Sequence, residues 1–183
     1  MKKSSYIIIA LGVLIALGAF FFPSIAMKRM ELKLITVKGD GKTTLITTGM
    51  FMTLALDLDN NINVYNSDNT VRGLDVTVTA VDTLKTPRIM LSKAWAPYTR
   101  ITENNDTLKL RVEPYNVADD TRVVADSSAF NLCEIQVPAN MLHAIKSEGM
   151  ELTIQDFRNA DLKIPYAGET EYRNCSFSSL QTY

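Results

Sequence analysis

One histidine, two cysteines and one tryptophan are all that this 183-residue chain holds of those residue types. A Ser–His–Asp or Cys–His system would have to be built on His143, which sits between Leu142 and Ala144 with no cysteine adjacent. One histidine and two well-separated cysteines also argue against a zinc site. No sign of charge is in excess: 19 basic against 20 acidic residues give a net charge of −1. With no basic stripe, nucleic acid is excluded as a partner. Gly39-Asp40-Gly41-Lys42-Thr43-Thr44 imitates a phosphate loop, but the position of the required first glycine holds Thr36. A solvated turn is expected there. Helical periodicity is nearly absent. Only Ser92–Ala96, before Pro97, and Pro138–Leu142 could form a helical turn. The sequence therefore points to no catalytic residues, no cofactor and no metal.

What is present begins with an apolar run. Tyr6 to Phe22 carries no charge and is apolar all round. Extended to Met27 it makes roughly 33 Å of helix, enough for a bilayer core of about 30 Å. Lys2 and Lys3 precede it; Lys28 and Arg29 follow it. We read residues 1–29 as a basic tail and transmembrane anchor, with the lipid bilayer as the partner of Tyr6 to Phe22. A cleaved signal peptide is the alternative, because Ser24 and Ala26 are placed like a cleavage site. The basic residues are nearly balanced across the segment. The short basic tail and the β character of the body favour export.

Beyond residue 30 the sequence alternates. Leu54, Leu56 and Leu58 alternate with Ala55, Asp57 and Asp59. The same holds for Leu74 to Ala80, Leu108 to Val112, Cys133 to Val137, Leu152 to Ile154 and Leu162 to Ile164. Period two puts one face in a core and the other in water. The class is mainly β. Residues 30–130 read as a β-rich region with irregular connections. In residues 131–183, Ile145, Ile154 and Ile164 recur nine and ten apart, and Leu152 and Leu162 ten apart. That spacing predicts a short β-solenoid in which these residues stack as one inward column.

Few residues are candidates for function. Asp57, Asp59 and Asp75 could share the polar face of neighbouring strands, where paired carboxylates bind Ca²⁺ or cleave glycosides. The plain alternative is a solvated face that discourages edge pairing. Trp95 and Tyr98, on a loop with Pro97, are the candidate partner contact, against the alternative of covering the end of the core. Cys133 and Cys175 could pair in an oxidising compartment, closing a loop worth about 4 kcal/mol. They could equally be two separate buried thiols.

Asn105-Asp106-Thr107-Leu108-Lys109-Leu110, then Glu134 to Leu142, then Ile145 to Gly149, Leu152 to Ile154, Leu162 to Ile164 and Ala167-Gly168 carry a resemblance. They are similar to the autotransporter-adhesin head domain family, also called head GIN, and its relatives among bacterial envelope β-solenoid proteins. The resemblance spans about residues 98–183. It implies a right-handed, three-faced β-solenoid outside the bacterial inner membrane, with a role in adhesion. It carries no catalytic or ligand residues over. The expectation is a single-pass envelope protein whose exported body binds an unknown protein or glycan and is not an enzyme. The alternatives are a carbohydrate-active β-solenoid enzyme using Asp57 and Asp75, and an accessory subunit of a membrane complex.

Overall fold

A computed structural model of the chain describes residues 33–59, 62–65, 70–113, 121–165 and 169–182. The chain divides into two compact units, Met1–Lys33 and Leu34–Tyr183. Tyr6 to Phe22 lies outside the described residues, as do Ala167 and Gly168. Among the described residues no helix is long and apolar enough to cross a membrane.

The described body is mainly β. In chain order its strands are β1 (Lys33–Val37), β2 (Thr43–Thr47), β3 (Thr53–Leu58), β4 (Ile62–Tyr65), β5 (Val71–Arg72), β6 (Leu74–Val81), β7 (Arg88–Ser92) and β8 (Thr99–Asn104). Then come β9 (Thr107–Val112), β10 (Thr121–Ala125), β11 (Asn131–Pro138), β12 (Ala144–Glu148), β13 (Met150–Gln155), β14 (Ala160–Ile164), β15 (Thr170–Arg173) and β16 (Phe177–Thr182). They form three sheets. Sheet 1 has the order β1-β10-β4-β5, sheet 2 the order β15-β13-β6-β11-β7-β2, and sheet 3 the order β16-β14-β12-β3-β9-β8.

Parallel pairing dominates the middle of each sheet. β6 lies between β11 and β13, parallel to both. β3 likewise lies between β9 and β12. Antiparallel strands close one end: β8 folds back on β9, and β7 and β2 follow β11. The β8–β9 hairpin turns on Asn105 and Asp106, both at positive φ, as a two-residue turn of this hand requires. The alternation read in the sequence follows from this pairing. β6 and β13 each bury every second residue, and the buried side chains of sheets 2 and 3 belong to one core.

The expected stacking of strands nine or ten residues apart does not occur. Leu152 pairs with Val76 and Thr170 in sheet 2, while Leu162 pairs with Leu180 in sheet 3. Ile145, Ile154 and Ile164 sit in sheets 3, 2 and 3 and form no single column. The reason is the corners. Gly149, at φ 71°, is the whole connection between β12 and β13. Asp156 and Asn159, at φ 62° and 51°, bound the next. Each corner sends the chain to the other sheet, so strands adjacent in sequence share the core without lying side by side. The repeat in the pairing is eighteen residues: Leu152 to Thr170, Ile154 to Tyr172, Leu162 to Leu180. The Asn174 corner, at φ 51°, stands on the Asp156 corner, its Nδ2 donating to Asp156 Oδ1 at 2.6 Å.

The two expected helical turns also shift. The turn near Trp95 is a 3₁₀ turn at Ala96–Tyr98 with Pro97 inside it. Pro138 ends β11 instead of opening a helix, and Asn140 turns the chain at φ 61°.

Ile154 is fully buried in β13, while Thr153 beside it is half-buried on the outer face. Ile154→Ala should cost on the order of 2–5 kcal/mol, and Thr153→Ala about 0.5 kcal/mol or less. Urea unfolding of the two variants measures the difference; equal losses would contradict the register.

Candidate functional site

The outer face of sheet 2 carries a cluster built around Arg72. Gly73 makes it possible: a Cβ there would stand 2.7 Å from the Gly149 carbonyl oxygen. Only glycine lets the β5–β6 junction run this close to the β12–β13 corner, and that approach brings Arg72 beside Glu151. Asp75, one strand away, is registered against both Glu151 and Asn131. Arg72 Nη2 donates to the carboxylates of Asp75 and Glu151. Its Nε donates to Glu151 Oε1 at 3.1 Å, and the Gly73 N–H donates to the same oxygen at 3.2 Å. The guanidinium carbon lies 4.5 Å from the centre of the Phe130 ring, a cation–π contact.

Burial raises the Asp75 carboxyl above its ordinary range; the Arg72 charge opposes this and the Glu151 charge adds to it. Burial also works against the Arg72 cation. The hydrogen bonds it donates to Glu151 and Asp75 and the charges of both carboxylates outweigh it and hold its pKa above the ordinary value. One cation thus serves two carboxylates. Beside the cluster runs an open, polar groove of about 750 Å³, bounded by Asp75, Glu151, Thr153, Glu169 and the Glu171–Arg173 pair. Glu171 and Arg173 are joined by hydrogen bonds of 2.9 and 2.7 Å. Among the described residues no aromatic ring lines the groove.

The carboxylates singled out from the sequence do not meet. Asp57 and Asp59 are on or beside β3 in sheet 3, whereas Asp75 is on β6 in sheet 2. The expected shared face is therefore corrected: the two strands are not neighbours. Asp57 sits between Lys109 at 3.3 Å and Arg111 at 3.6 Å. Arg111 also reaches Asp59 at 3.4 Å and Glu113 at 2.8 Å. This is a charge ladder across β3 and β9, with Asp57 registered directly opposite Arg111.

Trp95 is also corrected. It has no exposed surface, and its indole Nε1 donates to the Ala129 carbonyl at 2.7 Å. Tyr98 packs edge-on against it at 6.2 Å and is half-buried against the core. The pair closes the core, so Trp95 presents nothing to a partner. Cys133 and Cys175 are both free, the first buried and the second half-buried, so the possible bridge is not formed. Burial pushes the Cys133 thiol up to about 12, so it behaves as an inert apolar residue. Cys175 donates to the carbonyls of Ile154 and Arg173 at 3.3 and 3.2 Å. His143 is exposed, its backbone joining β3 to β14 through Met52 and Lys163. Among the described residues no three His, Cys, Asp or Glu side chains gather to hold a metal.

No protein-family model matches the sequence, and no curated protein matches it. Solved structures do. A "putative adhesin" from Parabacteroides distasonis is 16% identical with a TM-score of 0.40, over 81% of this chain and 55% of that one. A "putative adhesin" from Bacteroides fragilis is 14% identical with a TM-score of 0.45, over 81% and 57%. A "putative lipid binding protein" from Parabacteroides distasonis is 9% identical with a TM-score of 0.37, over 82% and 63%. The chain spans less than two thirds of the length of each.

Removing the shared cation should expose the cost of the cluster. Arg72→Met leaves Asp75 and Glu151 side by side, and should destabilise by about 1–2 kcal/mol at neutral pH, allowing for half-exposed groups. Because Asp75 is raised, the folded protein holds its proton more tightly than the unfolded chain. Stability from this group is present in acid and falls as pH rises through its folded pKa. The Arg72→Met loss should therefore grow between about pH 4 and pH 7, and Asp75→Asn should flatten it. Urea unfolding across that range reads both.

Proposed function

We propose that the protein is a membrane-tethered module of the bacterial envelope, held by Tyr6 to Phe22, whose exported body binds a glycan or protein ligand and performs no turnover. In this reading the eighteen-residue strand pairs form a short solenoid that displays the groove beside Arg72. The observation that carries it is the state of the carboxylates. Glycoside hydrolysis needs two of them facing one substrate across a gap of fixed size. Here Asp57 is ion-paired on sheet 3, and Asp75 shares Arg72 with Glu151 on sheet 2. A groove of fixed, paired charges and threonine hydroxyls suits orienting a polar ligand better than proton transfer.

The test has two arms. Full-length protein should remain with membranes through carbonate extraction, and a reporter that is active only outside the cytoplasm should be active when fused after Tyr183. A soluble species beginning near Met27 would replace the anchor with a cleaved leader. In the second arm, envelope polysaccharides and surface proteins are passed over immobilised full-length protein. Capture that is lost in Thr153→Arg, which fills the groove, supports the reading. Release of reducing sugar by the wild type, lost in Asp75→Asn, would make it an enzyme.

A further inference from the structure

We propose that Asp75 and Arg72 form an acid-strengthened latch between β6 and β13: on taking up a proton, Asp75 donates to Glu151 and leaves the Arg72 guanidinium wholly to Glu151. The inference stands apart from what the groove binds.

Register sets the parts side by side. Asp75 on β6 lies directly opposite Glu151 on β13, and Arg72 precedes Asp75 by three residues. A single nitrogen, Arg72 Nη2, donates to both carboxylates. Their holds on the cation are unequal. Glu151 also accepts from Arg72 Nε at 3.1 Å and from the Gly73 N–H at 3.2 Å. Asp75 receives only Nη2 from Arg72. The side chains of Arg72, Asp75 and Glu151 are 26%, 33% and 23% exposed. That is deep enough for facing carboxylates to repel, and open enough for a proton to arrive from water.

Ionised Asp75 therefore works against the bridge twice. It faces a second negative charge one strand away, and it shares the nitrogen that Glu151 uses. Protonation reverses both effects. The carboxyl O–H becomes a donor, and Glu151 is its acceptor on the next strand. Arg72 then gives Nε and Nη2 to one carboxylate, the two-bond form that holds most firmly. Phe130 lets the guanidinium turn. Its ring, 4.5 Å from the guanidinium carbon, offers a face and no hydrogen bond, so the cation–π contact survives in either position.

The other charged groups on this face come from three elements. Glu169, Glu171 and Arg173 border the groove from the β15 side. The hydrogen bond from Arg173 holds Glu171 below its ordinary range. On β11, Glu134 is registered on Thr77, not on Asp75, and accepts from Gln136 Nε2 at 2.7 Å. The one histidine of the chain, His143, precedes β12, at the far end of that strand from Gly149. No imidazole therefore enters the response.

The latch matters because Arg72 is a dividing wall. On one side of it lies the groove of about 750 Å³, and on the other a recess of about 370 Å³ lined by Val71, Gly73 and Gly149. Where the guanidinium rests fixes how the two are separated. The proton on Asp75 also removes a negative charge from the groove. Because the Asp75 carboxyl is raised by burial, its contribution is present in acid and is lost as pH rises through its folded pKa. The latch is tighter in mild acid and looser at neutral pH.

The Gly73 N–H, bonded to Glu151, is the reporter. Its hydrogen exchange is read by NMR on the full chain in detergent micelles, from about pH 4.5 to about pH 7.5, with intrinsic rates divided out. The Asp75 carboxyl is titrated in the same samples. Gly73 protection should fall by about three- to ten-fold as Asp75 ionises. Asp75→Asn keeps a donor without a charge, and should hold the acid-side protection at both ends. Glu151→Gln should abolish the pH response and lower the Asp75 midpoint, since the charge that raised it is gone. Glu169→Gln should change neither. The wild-type titration decides by itself if a variant fails to fold. Protection that stays flat while Asp75 titrates, a step that survives in Asp75→Asn or disappears in Glu169→Gln, or an Asp75 midpoint that does not fall in Glu151→Gln would each overturn the proposal.

Discussion

In-register strand pairing, parallel at the centre of each large sheet, is the constraint on which the body depends. Ile89, Ile135, Val78 and Ile154 lie side by side across four strands, each fully buried. Leu91, Cys133, Val76 and Leu152 form the next row. A slip of one residue in any strand would push a row such as Glu134, Thr77 and Thr153 into the core. Cys133 follows from this. Its position is an apolar row position, which accounts for its burial and its inert thiol. Ser147 is the polar exception among the inward positions of β12, and its hydroxyl donates to the Met150 carbonyl at 3.2 Å. The buried hydroxyl thereby keeps a partner across the Gly149 corner.

The layers are not stacked in chain order. β3 and β6, early in the sequence, lie between β9 and β11 on one side and β12 and β13 on the other. The chain first builds this middle, passes beneath it, and then crosses to climb on its other face. Strands from residues 33–130 and from 131–182 therefore share both large sheets. Burying β3 and β6 on both edges is what turns a set of short strands into one core. It also makes the contacts long-range, a topology that folds slowly.

This order explains what could be read in the sequence. Alternation is local, so the inward residues of β3, β6, β9, β11 and β13 were legible one strand at a time. β2 was not, because its inward residues Thr44 and Ile46 do not alternate clearly with Leu45. Spacing is local too, and it misled. Nine or ten residues is the distance from one sheet to the other, and the true stacking interval of eighteen is carried by one corner pair, Asp156 and Asn174. No side-chain repeat marks it, since Phe157 answers to Cys175 and Ile154 to Tyr172. Trp95 looked like a loop aromatic because Pro97 breaks the pattern beside it. The core accepts an indole there only because the Ala129 carbonyl satisfies its N–H.

The Arg72 cluster had no signature in the sequence, for a physical reason. Its members are Arg72, Asp75, Phe130 and Glu151; Asp75 was singled out only beside Asp57 and Asp59, and the other three read as ordinary surface or loop residues. They converge because Gly73 has no side chain and Gly149 allows a one-residue corner. The functional geometry is thus set by two positions where nothing projects. That origin also bears on chemistry. A carboxyl whose pKa is raised in a groove is a familiar mark of a general acid. Here the raised group, Asp75, shares the Arg72 guanidinium with Glu151, so protonating one carboxyl or ionising it changes the hold on the other. A proton donor needs freedom to give up its proton without disturbing its support. Asp75 lacks that freedom, and the cluster acts as a clamp between β5, β6 and β13 that shapes the groove beside it.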